Sequence, residues 1–373
     1  MASYETIAFI ILGISVIVHV GLVSVTLGTG LITAIYRYLA YKNNDIYLET
    51  FARRAFRLLA VTELFSGVWG TVITVVMAGF FTGLFAMFAN VLFTPIVIAL
   101  IGIMIRIPAI VAFWYTWGRI DAWRHSILGF VMALSGFMIP LGFRALMSDI
   151  TAPTAVGSFL DNRPFGAFDA YFSSLYWNLY LHTVLAVVSV GGFMVVSIMA
   201  LDRDAKGVKI AAPYAFIPLM FQFLVGPLYF LQLHFDARYV FDALIRVDQL
   251  IQGTGGLFTP AFVVKVISAL ALLAIGAKIY SDAKRGVINP YAKYGGFLAI
   301  FVAVVGEIIN SGSRYPYIVV LDSGGKRLED YFNYYINIGD VFPAVVVILL
   351  FLVLSLVIFT LAAYYAMVRK FVA

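Results

Sequence analysis

The chain has 373 residues, of which 63% are hydrophobic and 12% charged, with a mean hydropathy of +0.99 and a formal net charge of +6. An ordinary soluble domain carries about twice that charged fraction, so a water-soluble fold is excluded. The lack of any cysteine excludes disulfides, iron–sulfur clusters, thiolate metal sites and cysteine nucleophiles.

Runs of about 20 apolar residues are long enough to cross a bilayer. Nine are predicted, at roughly 6–36, 55–81, 88–117, 123–147, 170–201, 209–233, 258–280, 291–311 and 340–368. The first lacks a basic leader and a small-residue cleavage site, so it reads as a retained span. It holds His19, followed by Gly21, Ser24, Thr26, Gly28 and Gly30. Its LGTG run sits mid-span with no strand before it, and so is not a nucleotide loop. Arg37, Lys42, Arg53, Arg54 and Arg57 follow, then Glu63 inside the second run and Arg106 inside the third. His125 stands beside Arg124 at the start of the fourth, where an interfacial, solvated position is expected. The fifth run carries His182 with Thr183, Ser189, Gly191 and Gly192 after it, and the sixth ends at His234, also expected at the interface. Lys265 lies in the seventh and Glu307 in the eighth.

Alternate connections differ sharply in basic residues. One side collects the arginines and lysines from 37 to 57 together with Arg119, Arg124, Arg203, Lys206, Lys209, Lys278, Lys284, Arg285, Lys293, Arg369 and Lys370. The other holds Arg144, Arg163, Arg238, Arg246, Arg314, Lys326 and Arg327, and all the long hydrophilic connections: 148–169, 234–257 and 312–339. The positive-inside rule then places the N-terminus outside and the C-terminus in the cytoplasm. The charge is therefore a topology signal, not a nucleic-acid footprint. With no Gly/Ser linker and no internal repeat, residues 1–373 read as a single all-α membrane domain of nine transmembrane helices.

An ionisable side chain in hydrocarbon is costly and marks a functional site by default. Imidazole is a common axial ligand of haem iron, although a neutral histidine hydrogen-bonded between helices is the plain alternative for His19 and His182. Matching depths suggest two charge pairs, Glu63 with Arg106 and Lys265 with Glu307. The other reading makes Arg106 and Lys265 counter-charges for haem propionates and the two carboxylates proton carriers. Small residues beside the histidines permit either close helix approach or a flat macrocycle. No HExxH, GxSxG or Walker pattern supports hydrolase chemistry.

Taken in order, several segments resemble subunit I of the cytochrome bd quinol oxidases: His19 before TLGTGL, FARRAFRLLAVTELFSGVWGTV, FWYTWGRI followed closely by His125, ALSGFMIP, NLYLHTVLA, and GEIINSGSRYPYIVV. The resemblance implies a nine-span, N-out plasma-membrane protein. In it His19 would bind a high-spin haem and His182 a low-spin haem b, with quinol oxidised on the outer side and a second membrane subunit as partner, either subunit II-like or a subunit I paralogue. Arg238, Asp242 and Arg314, with Arg246 and Asp248 nearby, fall where an outer quinol site would lie. The chain also departs from the family. Ile98 and Arg106 stand near the positions of two third-span glutamates, Lys265 replaces an arginine, and Ile267 replaces a methionine ligand. Asn310 aligns with a ligating glutamate, and Glu307 lies nearly one turn away. The departures point to a partner paralogue that leaves oxygen reduction to another chain. A haem-free structural or assembly subunit is the alternative from another class, and a small-molecule transporter a third.

Overall fold

The computed structural model describes residues 4–245, 258–314 and 342–367; among these there is no strand. The helices in chain order are α1 (Tyr4–Asn43), α2 (Ile46–Phe80), α3 (Thr82–Asn90), α4 (Phe93–Tyr115), α5 (Ala122–Asp149) and α6 (Ala155–Leu160). After a 3-10 turn at Asp169–Phe172 come α7 (Tyr176–Leu201), α8 (Ala205–Asp236), α9 (Arg238–Ile245), α10 (Thr259–Lys284), α11 (Ala292–Gly312) and α12 (Phe342–Met367). Eight of them, α1, α2, α4, α5, α7, α8, α10 and α11, are long and apolar enough to cross a membrane. α12 is a further 26-residue helix, apolar over Leu349–Tyr365.

Several boundaries differ from the hydropathy reading: α1 runs on to Asn43 and α2 begins at Ile46, nine residues before the expected start, while two other helices start later than expected. The third run was expected to begin at 88, but residues 82–90 form the separate α3 and the long helix starts at Phe93. The fifth was expected from 170, yet α7 begins at Tyr176. The aromatic residues before it lie in the 3-10 turn, whose Asp169 carboxylate accepts the Gly166 N–H at 2.8 Å. Hydropathy counts such aromatics as span, although their amphipathic rings also suit the membrane boundary. The 148–169 connection, read as a loop, contains α6. Its N-terminus is held by the Asp149 carboxylate, which accepts from the backbone N–H groups of Thr154, Ala155 and Val156 at 2.9–3.0 Å.

Aspartates terminate the turns on the basic side. Asp45 caps α2 by accepting from Tyr47 N and Leu48 N, after Asn44 at φ 50°. Asp121 caps α5, and Asp204 caps α8 after Arg203 at φ 56°. Arg54 then ties α2 to the α7–α8 turn, pairing with both Asp202 and Asp204 while the Tyr47 hydroxyl donates to Asp204 at 2.7 Å.

Helix α1 runs through the middle of the bundle, packed against α2, α5, α7 and α11. Its contact with α7 is close because both sides are glycine. A Cβ on Gly28 would collide with the Val187 carbonyl, and one on Gly191 would lie 2.6 Å from Thr29 N. Helices in lipid gain little from hydrophobic exclusion and rely on such backbone approach. The small residues beside the histidines thus serve packing first.

Candidate functional site

His19 on α1 faces α2. Its Nδ1 lies 2.7 Å from the Ser66 carbonyl oxygen, so that nitrogen must carry the proton and donate. The hydrogen bond fixes the tautomer and leaves Nε2 as a lone pair with no partner among the described residues. Gly70 gives the ring its space, since a Cβ there would lie 3.0 Å from the His19 Cε1.

His182 on α7 faces α8, which presents Gln222, Gly226 and Tyr229 on one face. Gln222 donates to the His182 carbonyl, Tyr229 lies roughly parallel to the ring at 6.3 Å, and Gly226 leaves room beside it. The His182 Nδ1 is buried and has no hydrogen-bond partner among the described residues. An unsatisfied polar atom at this depth calls for an explanation, and an absent ligand is one.

Charges gather around these rings. Glu63 and Glu307 act on His19; Lys265 and Arg144 act on His182. Lys265 reaches past Gly306, where a Cβ would sit 2.7 Å from its Nζ, and donates to the Val302 carbonyl at 2.6 Å. Glu307 accepts from Asn310 at 3.0 Å and Ser311 at 2.9 Å, and lies 3.7 Å from Arg144. Arg314, 2% exposed, donates to the Thr151 hydroxyl, to Asn310 and to the Tyr229 hydroxyl, all neutral groups. Of the three cations Arg144, Lys265 and Arg314, only Arg144 is in an ion pair among the described residues, with Glu307. Asp149, the nearby buried acid in sequence, is spent on α6.

Two expectations are corrected here. Lys265 and Glu307 do not form the expected ion pair; Arg144 takes the carboxylate instead. Arg144, counted by charge with the sparsely basic side, lies near the C-terminal end of α5, and its guanidinium turns to the Glu307 carboxylate on α11. His125 is not solvated: it is 0% exposed, stacked on Phe113 at 4.1 Å. Arg37 Nε donates to its Nδ1 at 2.8 Å, and its Nε2 therefore donates to the Phe113 carbonyl at 2.8 Å. Both nitrogens are used, and the ring is a helix-end brace. Glu63 and Arg106 do meet, in a two-pronged pair at 2.9 Å and 2.9 Å. Arg106 also donates to the carbonyls of Met132 and Thr26, which leaves it committed to protein groups.

Residues 7–243 match the family model for cytochrome bd terminal oxidase subunit I. The chain belongs to that family. The solved bd oxidase of Geobacillus thermodenitrificans shares the fold, with a TM-score of 0.81, 16% identity and 98% of each chain covered. No curated protein matches. This bd-family chain is accordingly a multi-pass plasma-membrane protein.

In the bd-family chain, the residues expected on the outer side are less concentrated than the sequence suggests. Arg238, itself exposed, pairs with Asp242 at 2.9 Å along α9 and donates to His234. Arg314 is buried below, and Arg246, Asp248, Lys326 and Arg327 lie outside the described residues. Sequence reading missed a shallow, open groove of about 450 Å³ where α7 begins and α8 ends, lined by Asn178 of α7 and by Leu228, Leu231, Gln232, Phe235 and Asp236 of α8. Its signal was available: Asn178 is one helical turn before His182, and Gln232 interrupts an apolar run. The Asn178 amide donates to Gln232, whose own amide donates to the Ser174 carbonyl. Of the departures, Ile267 is 63% exposed and turned outward, while Asn310 holds both Arg314 and Glu307.

Proposed function

We propose that this chain is a haem-carrying membrane subunit of a respiratory quinol oxidase, with haem b held at His182 and a second haem at His19. The observation that carries the reading is the unclaimed nitrogen on each imidazole beside an excess of buried cation. Unpaired charge is expensive in a membrane. A group with two propionates would balance Lys265 and Arg314, with Arg144 shared between it and Glu307. Arg106 is left out of that set, because Glu63 and two carbonyls already occupy it. When bound, haem supplies one-electron transfer at a potential set by its ligands and surroundings.

The chain's own residues do the positioning. The Ser66 carbonyl orients His19, while α8 supports His182 through Gln222 and Tyr229. Quinol would approach from the outer side, with its ring in the groove and Asn178 and Gln232 as hydrogen-bond partners. Of the two protons that hydroquinone gives up with its two electrons, the Asp236 carboxylate at the rim would take one and pass it to solvent, and the other would leave to solvent directly. Arg238 and Asp242 would stand at the mouth, and Arg314 would link the region to His182 through Tyr229. A second membrane subunit would complete the assembly.

A reduced-minus-oxidised spectrum of the purified chain, with acid–acetone extraction, tests the reading. An α-band in the haem b region is expected. No band and no extractable haem would establish the other reading, a cofactor-free structural paralogue, which the outward-facing Ile267 favours.

A further inference from the structure

Arg57 lies on α2 about three turns from its N-terminus, on the basic side of the molecule. Its Nε is buried and unpartnered, and no other atom of its guanidinium is bonded among the described residues. Its neighbours make the field more positive. Arg54 is consumed by Asp202 and Asp204, and Arg53, one turn toward the helix start, lies 4.9 Å over the Trp117 ring and in a long, half-exposed ion pair with Glu49 at 3.8 Å, which leaves most of its donors open. A planar fork with five donors at a membrane boundary matches a phosphate.

The same helix face continues as an apolar track. Stepping three or four residues from Arg53 and Arg57 reaches Leu64, Val68, Thr71 and Val75, of which Leu64 is 64% exposed, Val68 40% and Val75 65%. α12 covers a different face, meeting α2 at Phe65 and Trp69. A phosphate head above an acyl-length apolar track is the outline of a phospholipid. We infer that Arg53 and Arg57 bind the phosphate of an anionic phospholipid of the basic-side leaflet, whose acyl chain lies along the Leu64–Val68–Val75 face of α2.

The test uses the full chain in nanodiscs of phosphatidylcholine doped with phosphatidylglycerol, with retained lipid counted by native mass spectrometry. Wild type should retain phosphatidylglycerol in preference to phosphatidylcholine. Arg57→Gln should weaken that preference about fivefold and Arg53→Gln/Arg57→Gln about 25-fold, since each basic residue near an anionic surface contributes a comparable increment. Arg124→Gln, on the same side but exposed, should leave it unchanged. Arg57→Lys keeps the charge without the fork and covers the case in which Arg57→Gln fails to fold; it should retain part of the preference. Equal retention of both lipids by wild type overturns the proposal. Full protection of thermal stability by inorganic phosphate alone would assign the cluster to a free anion. Loss of a co-purifying membrane subunit from Arg57→Gln, with lipid retention unchanged, would make it a subunit contact.

Discussion

Arg106 illustrates how a charge becomes tolerable in hydrocarbon. It is 1% exposed, yet Glu63 and two backbone carbonyls accept its protons, and the absence of a Cβ at Gly136 lets it lie flat against α5. Removing one partner of a buried pair costs about 3–5 kcal/mol, whereas replacing both by apolar groups is often neutral. Arg106→Ala should therefore lower the unfolding midpoint in detergent sharply, and Glu63→Leu/Arg106→Met should recover most of it; equal damage from both would assign the pair a role beyond neutralisation. The histidines behave differently, because their spare nitrogens have no partner among the described residues. His182→Ala should remove one b-type spectral component while the protein stays folded; an unchanged spectrum refutes that ligand. The Glu63–Arg106 pair was legible in the sequence because depth along two straight helices decides it. The Arg144–Glu307 contact was not, since it depends on which helices pack side by side and where a long side chain turns.

Among the elements, α1 and α7 are fixed by a backbone contact in which neither side can accept an added carbon. Gly28→Val would drive its side chain into the Val187 carbonyl, and overpacking of this kind costs roughly 1–3 kcal/mol or more. The variant should reach the membrane but lose its single sharp peak on size-exclusion chromatography; a wild-type profile would show that the helices can separate without penalty. The basic-side clasp adds a pH signature. Burial opposes ionisation of Asp204, but the Gly207 N–H, the Tyr47 hydroxyl and Arg54 outweigh it and hold the carboxyl below its ordinary value of 3.8. A depressed native value means the clasp stabilises above about pH 3.8 and is lost as pH falls through the lower native value. The stability gap between wild type and Asp204→Asn should be constant near neutrality and close below pH 3.8, read from unfolding midpoints across that range. Caps of this sort were visible as Asn44-Asp45 and Arg203-Asp204. α6 was not, because its N-terminus depends on an aspartate that α5 contributes.

At the scale of the whole molecule, the order of apolar runs carried the architecture, since a long helix needs only its own residues to satisfy its backbone in lipid. The site was less legible because it is assembled between helices: the groove needs the start of α7 beside the end of α8, and the cation cluster draws on α5, α10 and the turn after α11. Orientation is an expectation from charge, and the chain offers a clean way to check it. With no native cysteine, a single introduced thiol is the only target for a maleimide. Lys42 lies at the exposed basic end of α1, and Phe168, 58% exposed, lies between α6 and α7 at the opposite end. If basic residues are retained in the cytoplasm, an impermeant maleimide should label Phe168→Cys in intact spheroplasts and Lys42→Cys only after lysis. The reverse pattern would place the α7–α8 groove on the cytoplasmic side. It would then remove the outer-side route for quinol, because the groove, Arg238 and Asp242 share the end of the bundle that carries Phe168.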